Sequence, residues 1–359
     1  MRRRDFIAVL GGTVTWPLAA AAQQLNRPAE SGSAADISFA GKNITMVVGF
    51  EAGSGPDIYG RTVGRHLVRY LPGKPGLIVL NQLGAGGVVA MNSWVNKAEP
   101  NGLSVALGTL SQTDPDALMR TKAKYDPATF NYVGGLAGPS QGLFINKEAV
   151  ARLHDKSAKP VIMGIVGTTL RSGHYQVLWG VAFLGWNVKW VVGYTRTAEL
   201  RQALERGEID MTSFGASADI QYLLGTGKFA VVSQSGMTQG GKMLARPALG
   251  NAPLISDLVA GKINGPMAEK AFAYGQDVSQ LGNWLALPAQ TPPHIVASYV
   301  AAFEATLKDP EYQVEIAKID PDSPVAKSVE LQKLITELAK VSPETLSYVQ
   351  AELKRQGVD

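Results

Sequence analysis

Residues 44–61 read ITMVVGFEAGSGPDIYGR and contain a strand, a loop and a helix in one run. The apolar residues 44–48 predict a buried strand, and the apolar spacing over 57–70 predicts an amphipathic helix. Pro56 and Asp57 stand where helices commonly begin, because proline fits the first turn and a carboxylate stabilises the helix dipole. This order of elements indicates an α/β protein.

The same order of elements recurs further along the chain. LIVLN (77–81) is followed by the loop GAGG (84–87), a predicted helix and the strand SVALGTL (104–110). A second run begins with VIMGIV (161–166), continues with alternating helices and strands, and ends at FAVVSQS (229–235). We therefore predict two α/β units in tandem, each with a parallel sheet.

The C-terminal third is mostly helical by its apolar spacing and contains one strand pattern, WLALP (284–288). A lone strand needs a sheet to pair with, so we expect it to return to the first unit. This predicts a discontinuous first lobe, residues 41–144 and 236–359, and a second lobe, residues 145–235. The predicted fold class is a two-lobed α/β clamp with mostly parallel sheets flanked by helices, hinged where two strands cross between the lobes.

The N-terminal residues 1–22 have the pattern of a signal peptide. Three arginines precede a short apolar stretch, and the small residues 20–22 provide an A-x-A cleavage site. Arg3 and Arg4 are similar to a twin-arginine export signal, with a general secretory signal as the alternative. The apolar stretch is too short for a membrane anchor. We expect export to the periplasm, with residues 23–40 as a flexible leader.

Composition and charge exclude several classes of function. The 359 residues include 39 glycines and no cysteine, which excludes disulfides, thiolate nucleophiles and cysteine-ligated zinc. The net charge is +4, and removal of residues 1–22 leaves 31 basic and 29 acidic residues, a net charge of +2. Without a block of Lys or Arg, this balance argues against nucleic acid or an anionic membrane as partner.

Common catalytic and nucleotide-binding motifs do not fit the chain. The next glycine after Gly55 is Gly60, which breaks the dinucleotide-binding spacing. The G-x-x-x-x-G-K spacing at 236–242 is followed by Met243 instead of Ser or Thr. The sequence has no G-x-S-x-G nucleophile motif, and its four histidines show no metal-ligand spacing. We therefore expect no enzyme activity, no cofactor and no metal.

Glycine-rich loops follow four of the predicted strands. The carboxyl ends of parallel strands meet at one edge of a sheet, where ligands bind. Backbone N–H groups at a helix start favour an anion, so these loops predict a carboxylate site. The ligand-binding residues predicted from these loops and from the aromatic residues that end neighbouring strands are Phe50, Gly53, Ser54, Gly55, Asp57, Gly84, Ala85, Gly86, Gly87, Thr109, Gly167, Thr168, Thr169, Arg171, Ser172, Gly173, Tyr194 and Phe214.

Several of these residues have a structural alternative. A glycine loop often serves only a tight turn. Asp57 either stabilises its helix start or contacts the ligand, and Arg171 either pairs with a carboxylate or faces solvent. The aromatic residues Phe50, Tyr194 and Phe214 either line the cleft or close the core.

Five segments, in order, resemble the Bug-type solute receptors, the periplasmic substrate-binding proteins of tripartite tricarboxylate transporters. They are VVGFEAGSGPDIYGR (47–61), LNQLGAGGVVAMN (80–92), YDPATFNYVGGLA (125–137), VVGYTRTAELRQALERGEID (191–210) and TPPHIVASYVAAFEATLKDPEY (291–312). The resemblance implies a clamp of the periplasmic binding protein type II kind that closes over an organic acid. It also implies that Ser213 and Gly215, at a strand end of the other lobe, complete the ligand-binding cleft. The acid would then be delivered to integral membrane transporter subunits.

These observations lead to one favoured function and two alternatives. We expect a monomeric, non-enzymatic receptor that binds a small carboxylate in the periplasm and closes by a hinge. One alternative is a sensor that presents its ligand to a signalling partner. The other is an exported hydrolase built on Ser54, His174 and Asp57.

Overall fold

The computed structural model describes residues 37–358 except 167–169, 171, 240–241 and 320–323. Residues 38–359 cluster into one compact unit. The predicted signal peptide and most of the predicted leader lie outside the described residues. Phe39, near the end of the predicted leader, is buried, and its ring packs edge-on against Tyr299. The packed fold therefore begins before residue 40.

Six strands form the first sheet: β1 (Asn43–Val48), β2 (Gly76–Asn81), β3 (Ser104–Gly108), β4 (Asn131–Ala137), β12 (Leu281–Leu287) and β13 (Val325–Lys327). Their order is β13-β4-β12-β3-β1-β2. β1 lies parallel to β2 and β3, as the first α/β run predicts. β12 lies antiparallel between β3 and β4, so the lone C-terminal strand does return to the first sheet.

Five strands form the second sheet: β5 (Gly142–Asn146), β6 (Val161–Val166), β7 (Val188–Tyr194), β8 (Met211–Phe214) and β9 (Phe229–Gln234). Their order is β7-β6-β8-β5-β9. β6 lies parallel to β7 and β8, and β5 is antiparallel to both of its neighbours. Both sheets are therefore mixed, with antiparallel pairs beside the parallel ones, whereas the α/β runs alone predict parallel pairing.

Helices flank both sheets. The α-helices are α1 (Gly55–Tyr70), α2 (Val88–Lys97), α3 (Pro115–Thr121), α4 (Tyr175–Leu184), α5 (Thr197–Glu205), α6 (Ser217–Gly225), α7 (Ile255–Val259), α8 (Pro266–Ser279), α9 (Pro293–Lys308), α10 (Pro310–Ile319), α11 (Ser328–Ala339) and α12 (Pro343–Arg355). None of the helices within the described ranges has both the length and the apolar character that a membrane crossing requires.

The chain passes between the sheets twice, through residues 138–141 and 235–236, which we name the crossing segments. They are joined by hydrogen bonds: Gln141 N donates to Ser235 Oγ (2.9 Å), and Ser235 N donates to Gln141 O (3.0 Å). Gly236 N donates to Ser140 Oγ (2.9 Å). The two connections are therefore held side by side. The predicted lobe boundaries at 144/145 and 235/236 stay a prediction.

Arg246 is fully buried beside the crossing segments. Its Nη1 donates to the carbonyl oxygens of Ser140 (3.2 Å) and Gly215 (2.5 Å), and its Nη2 donates to Ser217 Oγ (2.7 Å). Its backbone N donates to Gln234 Oε1 (2.6 Å). One side chain therefore ties the end of β8 and the start of α6 to the first crossing segment.

The hairpin that follows the second crossing segment consists of β10 (Met237–Gln239) and β11 (Lys242–Leu244), which pair antiparallel. The G-x-x-x-x-G-K spacing at 236–242 begins in the second crossing segment and ends in this hairpin. A phosphate-binding loop needs a strand, a loop and a helix start in that order. The hairpin has a different arrangement, in agreement with the exclusion of that motif.

Helix α4 is apolar over nearly its whole length, YQVLWGVAFL, and its first six residues are buried. Such a helix needs apolar neighbours on every side. Trp179 stacks on Phe183 and contacts the edge of Phe272 in α8. At the far end of the chain, Gln356 Nε2 donates to the carbonyl of Leu178 (3.0 Å). C-terminal residues therefore cover a helix that follows β6 of the second sheet.

The three tryptophans of the second α/β run are buried: Trp179, Trp186 and Trp190. All three belong to the largest apolar cluster, which also contains residues of α2, α8 and α12. These three tryptophans therefore serve packing.

Candidate functional site

Asp57, in the first turn of α1, is buried and shapes the loop after β1. Its carboxylate accepts hydrogen bonds from Gly53 N (2.8 Å), Arg61 Nε (2.9 and 3.1 Å) and Asn81 Nδ2 (2.8 Å). Burial alone raises the pKa of Asp57, but these donors outweigh it and lower the pKa below its ordinary value. Asn81 Nδ2 also donates to the Phe50 carbonyl (2.9 Å). The carboxylate of Asp57 therefore accepts its hydrogen bonds from groups of the protein itself, and it orders the backbone of the loop after β1.

The loop after β2 has four consecutive residues at positive φ: Gly84 (132°), Ala85 (47°), Gly86 (62°) and Gly87 (93°). Ala85 is a non-glycine residue in the left-handed region, which is strained and recurs at binding sites. Gly84 O accepts the N–H groups of Gly87 (2.9 Å) and Val89 (3.4 Å). Residues 84–86 are exposed just before the start of α2. An exposed loop at a helix start offers N–H groups to an anion.

Gln112 joins this loop to the loop after β3. Its side chain is fully buried, and Nε2 donates to the Gly86 carbonyl (2.7 Å). Its Oε1 accepts from Thr109 N (2.6 Å) and Thr109 Oγ1 (3.0 Å). A Cβ atom on Gly49, in the loop after β1, would lie 2.5 Å from Gly87 Cα, closer than atoms can approach. Three loops therefore meet at the carboxyl edge of β1, β2 and β3.

A second group of predicted residues lies at the edge of the second sheet. A Cβ atom on Gly173 would lie 2.4 Å from Ser213 Oγ and 2.8 Å from Gln141 Oε1. A Cβ atom on Gly215 would lie 3.2 Å from the Gln141 side chain. Gln141 itself is fixed by a hydrogen bond from Gln176 Nε2 to its carbonyl (2.9 Å). Backbone around Gly173, Ser213 and Gly215 therefore gathers at the first crossing segment.

Other residues that were predicted to bind the ligand lie in the core, in a turn, at a strand end or outside the described residues. Gly167, Thr168, Thr169 and Arg171 lie outside the described residues, and Ser172 begins a single 3₁₀ turn over 172–174. Phe214 is buried and packs edge-on against Phe144 at 5.7 Å between ring centres, so it belongs to the core. Tyr194 is half-buried at the end of β7.

In the loop after β1, Ser54 and Gly55 lie at the start of α1. The Ser54 hydroxyl donates to the Glu51 carbonyl (2.6 Å). Gly55 is exposed, and Gly53 has a positive φ of 82°. These residues form the turn, whereas the ligand-facing role of Ser54 stays a prediction.

Tyr274 in α8 stands between the two groups of loops. Its hydroxyl donates to the carboxylate of Asp114, and its ring meets that of Tyr175 at 5.9 Å between centres. Asp114 follows the loop after β3 and Tyr175 follows Gly173, so both loop groups flank this contact. Burial raises the pKa of Asp114 to about 6, although the bond from Tyr274 acts in the opposite direction.

We expect Asp114 to make stability depend on pH between about 4 and 6. Because the pKa of Asp114 is raised from 3.8 to about 6, the folded protein binds this proton more tightly than the unfolded chain. The resulting stabilisation of the folded protein is about 3 kcal/mol at a pH below the pKa of Asp114 in the unfolded chain. It is lost as the pH rises through the pKa of Asp114 in the folded protein. Urea unfolding of Asp114→Asn should show a weaker pH dependence in this window than wild type. Equal pH profiles for the two proteins would contradict the assignment.

Three polar residues of this region carry no sequence signal of their own: Asn81, Gln112 and Gln141. Asn81 is the last residue of β2, so a polar residue at the carboxyl end of a strand is a weak signal there. Gln112 lies in a short 3₁₀ turn four residues after the end of β3, where the sequence pattern gives no such signal. Gln141 lies between two strand patterns and could be identified only once β5 and β9 are paired.

One further polar cluster lies away from these loops. His66 Nδ1 in α1 lies 3.0 Å from Asp309 Oδ2, and Arg69 Nη1 lies 2.6 Å from Glu311 Oε2. His66 is fully buried. Arg69 places its positive charge next to the carboxylates of Asp309 and Glu311. The cluster is therefore a structural contact that joins α1 to the start of α10.

No protein-family model matches the chain. The chain is 28% identical over 352 residues to the "UPF0065 protein in gbd 5'region" of Cupriavidus necator. The alignment covers 95% of this chain and 95% of that protein. Among solved structures it is similar to a TctC solute binding protein from Polaromonas, with a TM-score of 0.65, 17% identity, and 89% of this chain and 100% of that chain covered.

A second solved structure, "R. palustris Rpa4515 with adipate", has a TM-score of 0.60 and 19% identity, with 89% of this chain and 98% of that chain covered. The predicted fold, a two-lobed α/β clamp of the periplasmic binding protein kind, is confirmed. The chain is a homologue of the UPF0065 protein and a structural neighbour of the TctC protein, which confirms the resemblance found in the sequence.

Proposed function

We propose that this protein is a periplasmic solute-binding receptor for a small organic carboxylate. The observation that carries the proposal is the meeting of three glycine-rich loops, joined by Gln112, at the carboxyl edge of the first sheet. Exposed backbone at the start of α2 can donate N–H groups to an anion without a charged side chain. The ligand then binds between these loops and those around Gly173 and Ser213, and the lobes close over it.

The state of Asp57 supports an anionic ligand. A free carboxylate in the first loop would repel a carboxylate ligand. The Asp57 oxygens instead accept from Gly53, Arg61 and Asn81, so the positive charge of Arg61 lies directly against them. The loop is thereby electrically balanced, and recognition depends on its N–H groups.

The relatives point in the same direction. The solved structure of Rpa4515 contains adipate, a dicarboxylate, and another neighbour is a TctC solute binding protein. We therefore propose that the present chain also binds a small carboxylate. We further propose that it delivers this acid to the membrane subunits of a tripartite tricarboxylate-type transporter. An N-terminal export signal in residues 1–22 fits that location.

The contacts of Ser54 and Asp57 do not support the hydrolase alternative. The Ser54 hydroxyl donates to the Glu51 carbonyl, and Asp57 accepts from Arg61 and Asn81. A catalytic triad needs the carboxylate to orient a histidine and the histidine to accept the serine proton. These two groups are used to build the loop instead.

A thermal-shift screen of the mature protein tests carboxylate binding. We expect adipate, succinate or a related acid to raise the melting temperature, because ligand at 100 times Kd adds about 2.7 kcal/mol of stability. For a chain of this size that corresponds to a shift of roughly 4 °C. Adipamide, which has the same length but no charge, is the matched control and should have no effect. Equal shifts for the acid and the diamide, or turnover of an ester, would reject the proposal.

Delivery to a transporter needs a separate measurement. Uptake of the radiolabelled acid should fall in cells that lack this protein and return when it is supplied. Normal uptake in those cells, with binding intact, would favour the sensor alternative.

A further inference from the structure

A cavity of about 420 Å³ lies beside the crossing segments, away from the loops of the proposed carboxylate site. Its walls come from the end of β4, from β10, from α8, from β13 and from α11. The apolar part of the wall includes Ala326, Leu331 and Leu334, of which Ala326 and Leu331 are buried. The volume is within the range of small-molecule sites.

The rim of this cavity is acidic. Asp277, Glu330 and Glu337 line it, together with one cation, Lys333. Glu337 Oε1 already pairs with Lys340 Nζ (2.9 Å), and Glu330 Oε2 accepts the backbone N–H of Lys327 (2.9 Å). Two of the three carboxylates are therefore engaged within the protein.

Asp277 is the exception. Its carboxylate is half-buried and, within the part of the chain that the structure describes, takes part in neither a hydrogen bond nor an ion pair. Burial, and then the charge of Glu337, raise the pKa of Asp277 above its ordinary value. A carboxylate in this position is stabilised by any cation that reaches it.

The cavity is connected to the first crossing segment and to β10 through one residue, Gln280. Its carbonyl accepts the N–H of Gly138 (2.8 Å), and its Oε1 accepts the N–H of Thr238 (2.7 Å). Gly138 opens the first crossing segment, and Thr238 lies two residues beyond the second. Gln280 itself lines the cavity, so an occupant would lie against the residue that joins the start of the first crossing segment to β10.

We propose that this cavity is a second ligand site, for a small organic amine whose ammonium group pairs with Asp277 and whose alkyl chain lies on Ala326, Leu331 and Leu334. The negative charge of the rim favours a cation. The apolar wall favours an alkylammonium ion over a bare metal ion, because a metal ion would not cover that wall. The site is independent of the carboxylate loops and does not rest on the proposed function.

Calorimetric titration with n-pentylamine, in the absence of any carboxylate, tests this site. We expect saturable binding to the wild-type protein, and at least a tenfold loss of affinity in Asp277→Asn. Glu269→Gln, which removes an exposed carboxylate from the same helix α8, is the matched control and should bind as wild type does. n-Pentanol, which lacks the charge, should bind at least tenfold more weakly than the amine.

A second variant keeps the test decisive if Asp277→Asn fails to fold. Leu334→Trp fills the apolar side of the cavity and should also abolish amine binding, with folding checked by circular dichroism. Equal amine affinity in wild type and Asp277→Asn, or a wild-type Kd weaker than about 10 mM, would overturn the proposal. The carboxylate screen uses other ligands on the same protein, so failure of one proposal does not imply failure of the other.

Discussion

Gln112→Glu is expected to lower the affinity for the carboxylate ligand by about 100-fold, which corresponds to about 2.7 kcal/mol. The change replaces the N–H donor to the Gly86 carbonyl by an acceptor, at a distance of 2.7 Å in the native protein. It also places a negative charge in a fully buried position behind the loop that is proposed to receive an anion. The acceptor for Thr109 is retained, so the loop after β3 keeps its hydrogen bond.

The pH dependence of this variant provides an internal check. A protonated Glu at position 112 can again donate to the Gly86 carbonyl, so the affinity relative to wild type should recover as the pH falls. Gln290→Glu adds the same charge at an exposed position and serves as control. Calorimetry of all three proteins with adipate makes the comparison. A loss of less than threefold for Gln112→Glu would show that the joined loops are not the ligand site.

Arg246→Met is expected to reduce the free energy of unfolding by about 3 kcal/mol or more. The substitution removes this donor from the buried carbonyls of Ser140 and Gly215, and each such loss costs about 1–3 kcal/mol. Arg246→Lys keeps the charge but lacks the planar fork, so it should recover only part of the loss.

Urea unfolding followed by tryptophan fluorescence measures the effect. Lys262→Met, at an exposed position, controls for the loss of one positive charge and should change stability by less than about 0.5 kcal/mol. If Arg246→Met is as stable as this control, the buried guanidinium is not needed to hold the crossing segments.

The sequence predicted those parts of the fold that have local periodicity. The run at 44–61 gave the strand, turn and helix that became β1, its loop and α1. β13 was missed because three residues are too few to show alternation, and it forms only because the edge of β4 offers a partner. The hairpin of β10 and β11 was missed for the same reason.

The site was predicted where glycines mark it and missed where distant residues meet. The loop at 84–87 was found from its composition, and its four positive φ angles explain why glycine predominates there. Asp57 stayed ambiguous because its partner Asn81 is 24 residues away and becomes a neighbour only when β1 and β2 pair. Gln112 was missed because its contact with Gly86 crosses 26 residues.

Helix α4 sets a limit on how independent the two halves of this protein can be. It follows β6 of the second sheet, yet Trp179 and Leu178 are covered by C-terminal residues, Phe272 and Gln356. If residues 145–235, the predicted second lobe, were expressed alone, the apolar surface of α4 would be exposed to water. A chimaera that takes this lobe from a relative in order to change the ligand preference therefore also needs the C-terminal helices of that relative. Changes of specificity by point substitution in the loops face no such constraint.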